Sequence, residues 1–282
     1  LFLEGENGLA IVTLADIFER LKQYDRALDV YDLVSARSPL HANAQIQSGL
    51  ILEAMGRSDD ALKQLQGIVS EQPRDIEALT ALGNLQRARK DYGESAKTYS
   101  RVIDQLSAPG RGDWTLFYFR GISHERSKQW PLAEADFKKA LELYPDQPLV
   151  LNYLGYSWVD QNVNLDEGLR LLRRAVQLRP DDGYIIDSLG WAHYRMGRFE
   201  EALRELERAI ELKPGDPVIN DHLGDVYWRV GRKLEAYFQW NHARDLKPEP
   251  EDLERILKKI ESGLEDEPKP ASAEAEARKN GG

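Results

Sequence analysis

Apolar positions along the chain follow helical spacing in paired blocks, such as 185–196 and 200–212, each pair joined by a short turn. Sliding the sequence against itself by 34 residues superimposes one pair on the next. Leu189-Gly190, Gly197, Ala202, Ala209 and Pro214 fall on Leu223-Gly224, Gly231, Ala236, Ala243 and Pro248. The same frame runs backward through Leu154-Gly155, Ala175 and Pro180, then Gly121, Ala133, Ala140 and Pro145, then Leu82-Gly83. It continues through Gly49, Ala61 and Pro73 to Ala15, Ala27 and Pro39, so seven units fill 8–250.

The recurring residues have physical reasons. Small residues at the eighth and twentieth places of the unit, for example Gly190 and Ala202, let two helices cross closely where larger side chains would wedge them apart. Gly56, Gly197 and Gly231 stand just past the first helix, where a left-handed residue ends it. Pro39, Pro73, Pro145, Pro180, Pro214 and Pro248 close the second helix, because proline cannot continue its hydrogen bonds. This arrangement resembles the tetratricopeptide repeat. The resemblance implies an all-α fold, a right-handed superhelical solenoid of seven helix-turn-helix repeats, with a concave face lined by the first helices.

Two departures interrupt the period. An insertion at 107–113 follows the third repeat and should loosen its stacking on the fourth, and the fifth repeat carries an extra residue at 160–165 and Gly168 in place of alanine. The expected organisation is a remnant of an upstream repeat at 1–7, repeats one to three at 8–109, an insertion loop at 110–113 and repeats four to seven at 114–250. At 251–264, Leu253, Ile256, Leu257, Ile260 and Leu264 share one face, as in an amphipathic helix that caps the stack. The tail 265–282 has no large apolar residue after its start to bury and is expected to be disordered.

A net charge of −10 disfavours nucleic acid and anionic membranes as partners. No stretch is apolar enough to span a bilayer. The chain has no cysteine, which removes disulfides, thiolate metal sites and sulfur nucleophiles. None of the five histidines forms a metal-binding pair on one helix, and no phosphate loop or nucleophile elbow appears, so no catalytic residue, metal or cofactor is assigned. His124 and His193 stand at the eleventh place, where packing between helices is expected, and Trp158 and Trp240 are assigned to the core.

In the repeat class that the chain resembles, places two, five, nine, twelve and thirteen of the first helix look into the groove. In repeats five to seven they hold Leu149, Asn152, Tyr156, Val159 and Asp160, then Tyr184, Asp187, Trp191, Tyr194 and Arg195, then Val218, Asp221, Asp225, Trp228 and Arg229. Aromatic rings beside carboxylates, an amide and guanidinium groups are what protein-binding hot spots use. The candidate partner groove is therefore Asn152, Tyr156, Tyr184, Asp187, Trp191, Tyr194, Arg195, Asp221, Asp225, Trp228 and Arg229. In repeats one to three the same places are less aromatic.

Leu154-Gly155-Tyr156, Arg179-Pro180-Asp181-Asp182, Asp187-Ser188-Leu189-Gly190-Trp191 and the run from His222 to Trp228 are similar to a family of Gram-negative tetratricopeptide lipoproteins. That resemblance implies a periplasmic adaptor, anchored at the outer membrane through an N-terminus absent here. Its partners would be a PDZ-containing carboxyl-terminal processing protease and the cell-wall hydrolases presented to it. A cytoplasmic scaffold of another assembly, or the repeat arm of a larger enzyme, are the other readings the residues leave open.

Overall fold

The computed structural model describes residues 2–265. Among these residues are fifteen α-helices and one short 3-10 turn. Seven hairpins are formed by α1 (Phe2–Arg20) with α2 (Tyr24–Tyr31), α3 (His41–Ala54) with α4 (Ser58–Glu71), α5 (Ile76–Ala88) with α6 (Tyr92–Ile103), and α7 (Trp114–Arg126) with α8 (Trp130–Leu143). Then come α9 (Pro148–Asp160) with α10 (Leu165–Leu178), α11 (Gly183–Arg195) with α12 (Phe199–Leu212), and α13 (Pro217–Arg229) with α14 (Lys233–Asp245). A single helix, α15 (Pro250–Ser262), follows. The chain divides after Pro145 into two compact units, one of four hairpins and one of three hairpins with α15. Within each unit a second helix packs on its own first helix and on the first helix that follows, which is the all-α stack the 34-residue period predicts.

The hairpins are held by a small residue facing a large one. Place eight is Ala15 or a glycine, place twenty is alanine, serine or glycine, and the residue at place twenty-four lies across the gap they leave. That large residue is Tyr31, Leu65, Tyr99, Phe137, Leu172, Leu206 and Trp240 in turn, and all seven are fully buried. A methyl group on Gly121 would stand 2.7 Å from the Phe137 ring. In the fifth hairpin the backbones themselves touch: a Cβ on Gly155 would lie 2.9 Å from the Gly168 carbonyl oxygen, and one on Gly168 3.0 Å from that of Gly155. Glycine replaces the usual alanine at Gly168 because the two helices leave no room for a methyl there.

The turn inside each hairpin places one left-handed residue just past the first helix, and the fifth adds a second, Asn164 at φ 47°. Gly56, Gly197 and Gly231 supply it as the sequence predicts, at φ of 77°, 72° and 86°. At the equivalent place the other four hairpins put Lys22, Lys90, Lys128 and Asn162, with φ between 57° and 66°. A lysine there carries a steric cost that glycine avoids. Three first helices begin on aspartate caps: Asp75 Oδ1 accepts from Ala78 N at 2.9 Å, Asp182 Oδ1 from Tyr184 N at 3.1 Å, and Asp216 Oδ1 from Val218 N and Ile219 N at 2.9 and 3.0 Å.

Three expectations change. α1 begins at Phe2, so the residues taken for a remnant before position 8 continue into the first helix of hairpin one. The second helix of that hairpin stops at Tyr31, well before Pro39, because Ser35 and Ser38 hydroxyls accept from the Arg37 and Leu40 amides and hold turns instead. The insertion at 107–113 is wound into the 3-10 turn Arg111–Asp113, where Asp113 Oδ2 accepts from Gly110 N at 2.7 Å. Trp114 and Arg111 both pack on Tyr144, with α6 against α7, so this stretch lies inside the first unit. Of the tail expected at 265–282, residues 266–282 lie outside the described residues.

Gly121→Ala should destabilise the first unit by about 1–3 kcal/mol, because the Phe137 ring has no room to yield. Lys90→Gly should stabilise the same unit by about 1 kcal/mol by relieving its left-handed backbone. Urea unfolding of both variants checks the pair; equal or reversed effects would contradict the packing described.

Candidate functional site

The first helices of the second unit carry every candidate groove residue, and the structure separates them into two groups. Asp187, Asp221, Asp225 and Tyr194 are buried. Asn152, Tyr156, Trp191, Arg195, Trp228 and Arg229 are half-buried, and Tyr184 is exposed. The expectation that all of them face an open groove is thus corrected for the four buried residues.

The reason is a ladder of contacts between successive first helices. His222 Nδ1 and Asp187 Oδ1 are 2.9 Å apart, and the His222 ring stacks on Trp191 with centroids 4.0 Å apart. Tyr194 stacks on the same indole with centroids 4.7 Å apart, and its hydroxyl accepts from Arg229 Nε at 3.3 Å. Arg195 donates to the Asp160 carbonyl at 3.0 Å. Lys259, from α15, donates to both oxygens of Asp221 and to Asp225 Oδ2 at 2.8–2.9 Å, while Asp225 Oδ1 accepts from Trp240 Nε1 at 2.9 Å. Gly263, at the end of α15, stands directly on the Trp228 ring, which also meets Trp240 and Tyr237. α15 itself buries one side chain fully, Ile256, so its ion pairs matter to its position.

Burial alone would hold the His222 imidazolium down. The Asp187 carboxylate, with Asp221 and Asp225 behind it, outweighs that and raises its pKa above the usual histidine value. Burial raises the Asp225 carboxyl, with Lys259 opposing and Asp221 adding to the rise. The Tyr156 hydroxyl is raised by burial first and then by the Asp160 and Asp187 carboxylates, against Arg255 and Arg195.

What remains available is a stripe of half-buried groups. Asn152 Oδ1 and Trp191 Nε1 are buried atoms with no hydrogen-bond partner. Tyr184 borders a recess of about 430 Å³ lined by Arg179, Pro180, Asp181, Asp182 and Lys213, with the Lys213 ammonium 5.1 Å from its ring centre. Among the described residues no group of three or more histidine or acidic side chains is placed to hold a metal ion. No described helix is long and apolar enough to cross a membrane.

Tetratricopeptide-repeat family models match residues 46–109, 118–183 and 190–231, well over half of the chain. The chain is a tetratricopeptide-repeat protein. A repeat-containing protein of Pseudomonas aeruginosa is 31% identical over 193 residues, 66% of this chain and 31% of that protein. A human protein O-mannosyl-transferase is 26% identical over 204 residues, 68% of this chain and 21% of its own length. This tetratricopeptide-repeat chain therefore spans less than a third of either relative. Among solved structures, a tetratricopeptide-repeat protein from Parabacteroides merdae superimposes with a TM-score of 0.72 at 17% identity, covering 92% of this chain and all of that one. The Cut9–Hcn1 assembly gives 0.70 at 16% identity, covering 90% of this chain and 48% of that one. Both show the fold.

The sequence reading missed His222 and Lys259 as partners of the acidic residues. A signal existed for Lys259: it lies one 34-residue period past Asp225, so extending the frame beyond Pro250 would have set it beside that carboxylate. His193, Trp158 and Trp240 are buried in the packing as expected, whereas His124 stays half-buried and bonds Gln129 at 2.9 Å.

Lys259→Met should cost about 3–5 kcal/mol, since it leaves two buried carboxylates without their cation. Hydrogen exchange should show α15 losing protection first, and an unchanged α15 would contradict the clasp. His222 has a raised pKa in the folded state, so its stabilisation is full below the unfolded value of about 6.5 and is lost as pH rises through the higher folded value. Unfolding free energies should accordingly fall toward alkaline pH in this window, and the slope should flatten in His222→Gln.

Proposed function

We propose that this chain is a protein-interaction scaffold that holds an extended polypeptide segment along the inner stripe of its second unit. The carrying observation is the pair Asn152 Oδ1 and Trp191 Nε1, one acceptor and one donor, both buried and both unpartnered on neighbouring first helices. Leaving such atoms unpaired costs stability; both are closed to solvent in the free chain, so pairing with the N–H and C=O of a peptide backbone requires the two side chains to turn outward on binding. Tyr156, Trp191 and the exposed Tyr184 provide ring surface beside them, with Arg195 and Asp160 to set direction. The buried Asp187, Asp221, Asp225 and Tyr194 serve this surface by fixing the spacing of the helices that carry it.

The finer reading is that the partner is a carboxyl-terminal processing protease of the periplasm and that cell-wall hydrolases are presented to it. The similarity of the segment from Asn152 to Trp228 to the lipoprotein adaptors supports that reading, and the outer membrane would be the place of anchorage. A second reading, the repeat arm of a larger enzyme, draws on the O-mannosyl-transferase relative, of which this chain spans 21%.

Trp191→Phe keeps an aromatic ring but removes the pyrrole part of the indole with its N–H, and Asn152→Ala removes the acceptor. Screened on a peptide array, the double variant should lose most of the capture seen with the unaltered chain, at about 1–3 kcal/mol per lost hydrogen bond, while its helical circular-dichroism signal and cooperative melting are retained. Equal capture by both proteins would sink the peptide reading. Failure of the unaltered chain to bind a purified processing protease, with peptide capture retained, would remove the finer reading alone.

A further inference from the structure

The eighteenth and twenty-second places of the repeat lie on the second helix and carry no large apolar side chain in six of the seven hairpins. In the sixth they are Glu200 and Arg204, in the fifth Asp166 and Arg170, and the first four put aspartate, lysine, glycine, proline or alanine there. In the seventh the same places hold Leu234 and Phe238 on α14, 84% and 69% exposed. The exposed His242 ring stacks on Phe238, with centroids 6.3 Å and planes 10° apart. Single exposed apolar side chains are ordinary, but three aligned on successive turns mark a contact surface.

The two ends of this stripe differ in charge. α14 starts on Arg232, whose side chain caps nothing, so the first amides of the helix keep their positive end of the dipole. Arg232 itself is engaged with Glu235 and Glu207, and Lys233 lies over the Trp228 ring at 4.5 Å. At about 100° per residue, Asp245 falls on the same face as Leu234, Phe238 and His242, at the carbonyl end of the helix. Its pairing with the neighbouring Arg244 at 2.8 Å is exposed and holds it weakly. An antiparallel copy of α14, related by a two-fold axis at Phe238, sets opposite each other the residues equally far before and after it. Phe238 then meets Phe238, Leu234 meets His242, the uncapped start of α14 meets Asp245, and Glu235 lies beside His242, each contact made twice. The chain's own residues 265–282 cannot fill this role, because they offer no large apolar side chain.

We propose that the α14 stripe of Leu234, Phe238 and His242 is a self-association surface, on which a second copy of this chain docks its own α14 antiparallel about a two-fold axis. The contact is isologous, so the same patch is satisfied on both copies and the assembly closes at two. A helix of this length spans about 20 Å, which puts the interface at the small end of specific contacts and makes association weak and concentration-dependent. The surface stands on a second helix, apart from Asn152 and Trp191, and does not rest on the peptide reading.

The test is sedimentation equilibrium of the full chain over about 1–500 µM, where a reversible monomer-dimer equilibrium is expected, with a dissociation constant on the order of 10–100 µM. Phe238→Glu should weaken association at least about tenfold with the melting curve unchanged, since the side chain is exposed. Asp245→Lys, which sets a cation against the uncapped helix start, should weaken it several-fold. Because the chain has no cysteine, disulfide trapping reads the register: a mixture of Leu234→Cys and His242→Cys chains should cross-link faster than either variant alone. Ile17→Glu, on the exposed apolar side of α1, should leave association unchanged. A chain that stays monomeric throughout would overturn the surface, and so would one that binds phosphatidylserine vesicles through Phe238 instead of a second copy. Association that survives Phe238→Glu and Asp245→Lys, that is lost in Ile17→Glu, or that cross-links no faster in the mixture would equally overturn it.

Discussion

The close crossing of two helices inside each hairpin is the constraint from which the rest of this structure follows. A small residue at place eight leaves a gap, and one large residue at place twenty-four fills it, from Tyr31 to Trp240, without exposure to solvent. Dense packing of this kind tolerates little change in volume, so the crossing is reproduced seven times with little variation. Where it varies, the partners vary together. Gly155 meets Gly168 backbone to backbone, and Ser95 takes the alanine place by donating its hydroxyl to the Gly83 carbonyl at 2.9 Å.

Because the crossing repeats, the same places of successive first helices come into register, and polar groups meet there at intervals of 34 to 38 residues. Asn43 reaches Glu77, Arg195 reaches Asp160, Arg229 reaches Tyr194, His222 meets Asp187, and Lys259 spans Asp221 and Asp225. Buried carboxylates of this kind persist only with a cation beside them. The stripe that looked like a free partner surface is therefore shared between stacking and recognition. Residues whose hydrogen bonds are spent on the neighbouring repeat set the geometry, and the proposed peptide site falls to Asn152 and Trp191, whose buried atoms remain unpartnered.

The period, the helix pairs, the glycine turn residues and the core assignments of Trp158 and Trp240 could all be read from the residues, because each depends on local chemistry repeated in register. The burial of Asp187, Asp221 and Asp225 could not be read from one helix at a time. A stripe of places gives the direction of a side chain but not what the next repeat sets opposite it, and His222 and Lys259 are supplied by later helices. Lys22, Lys90, Lys128 and Asn162 escaped notice because backbone bonds that close the first helix across them, such as Asp91 N to Gln86 O at 2.8 Å, hold them left-handed, although their side chains do not favour it. The early stop of α2 depends on hydroxyl-to-amide bonds at Ser35 and Ser38 that compete with the helix.

The central claim is that a polypeptide partner lies along the first helices of the second unit. Hydrogen exchange on the full chain, with and without a peptide selected from an array, tests it most directly. Added protection is expected in α9 and α11 around Asn152, Tyr156 and Trp191, with the second helices α10 and α12 unchanged. Protection confined to α10, α12 or α14, or to the first unit, would contradict it.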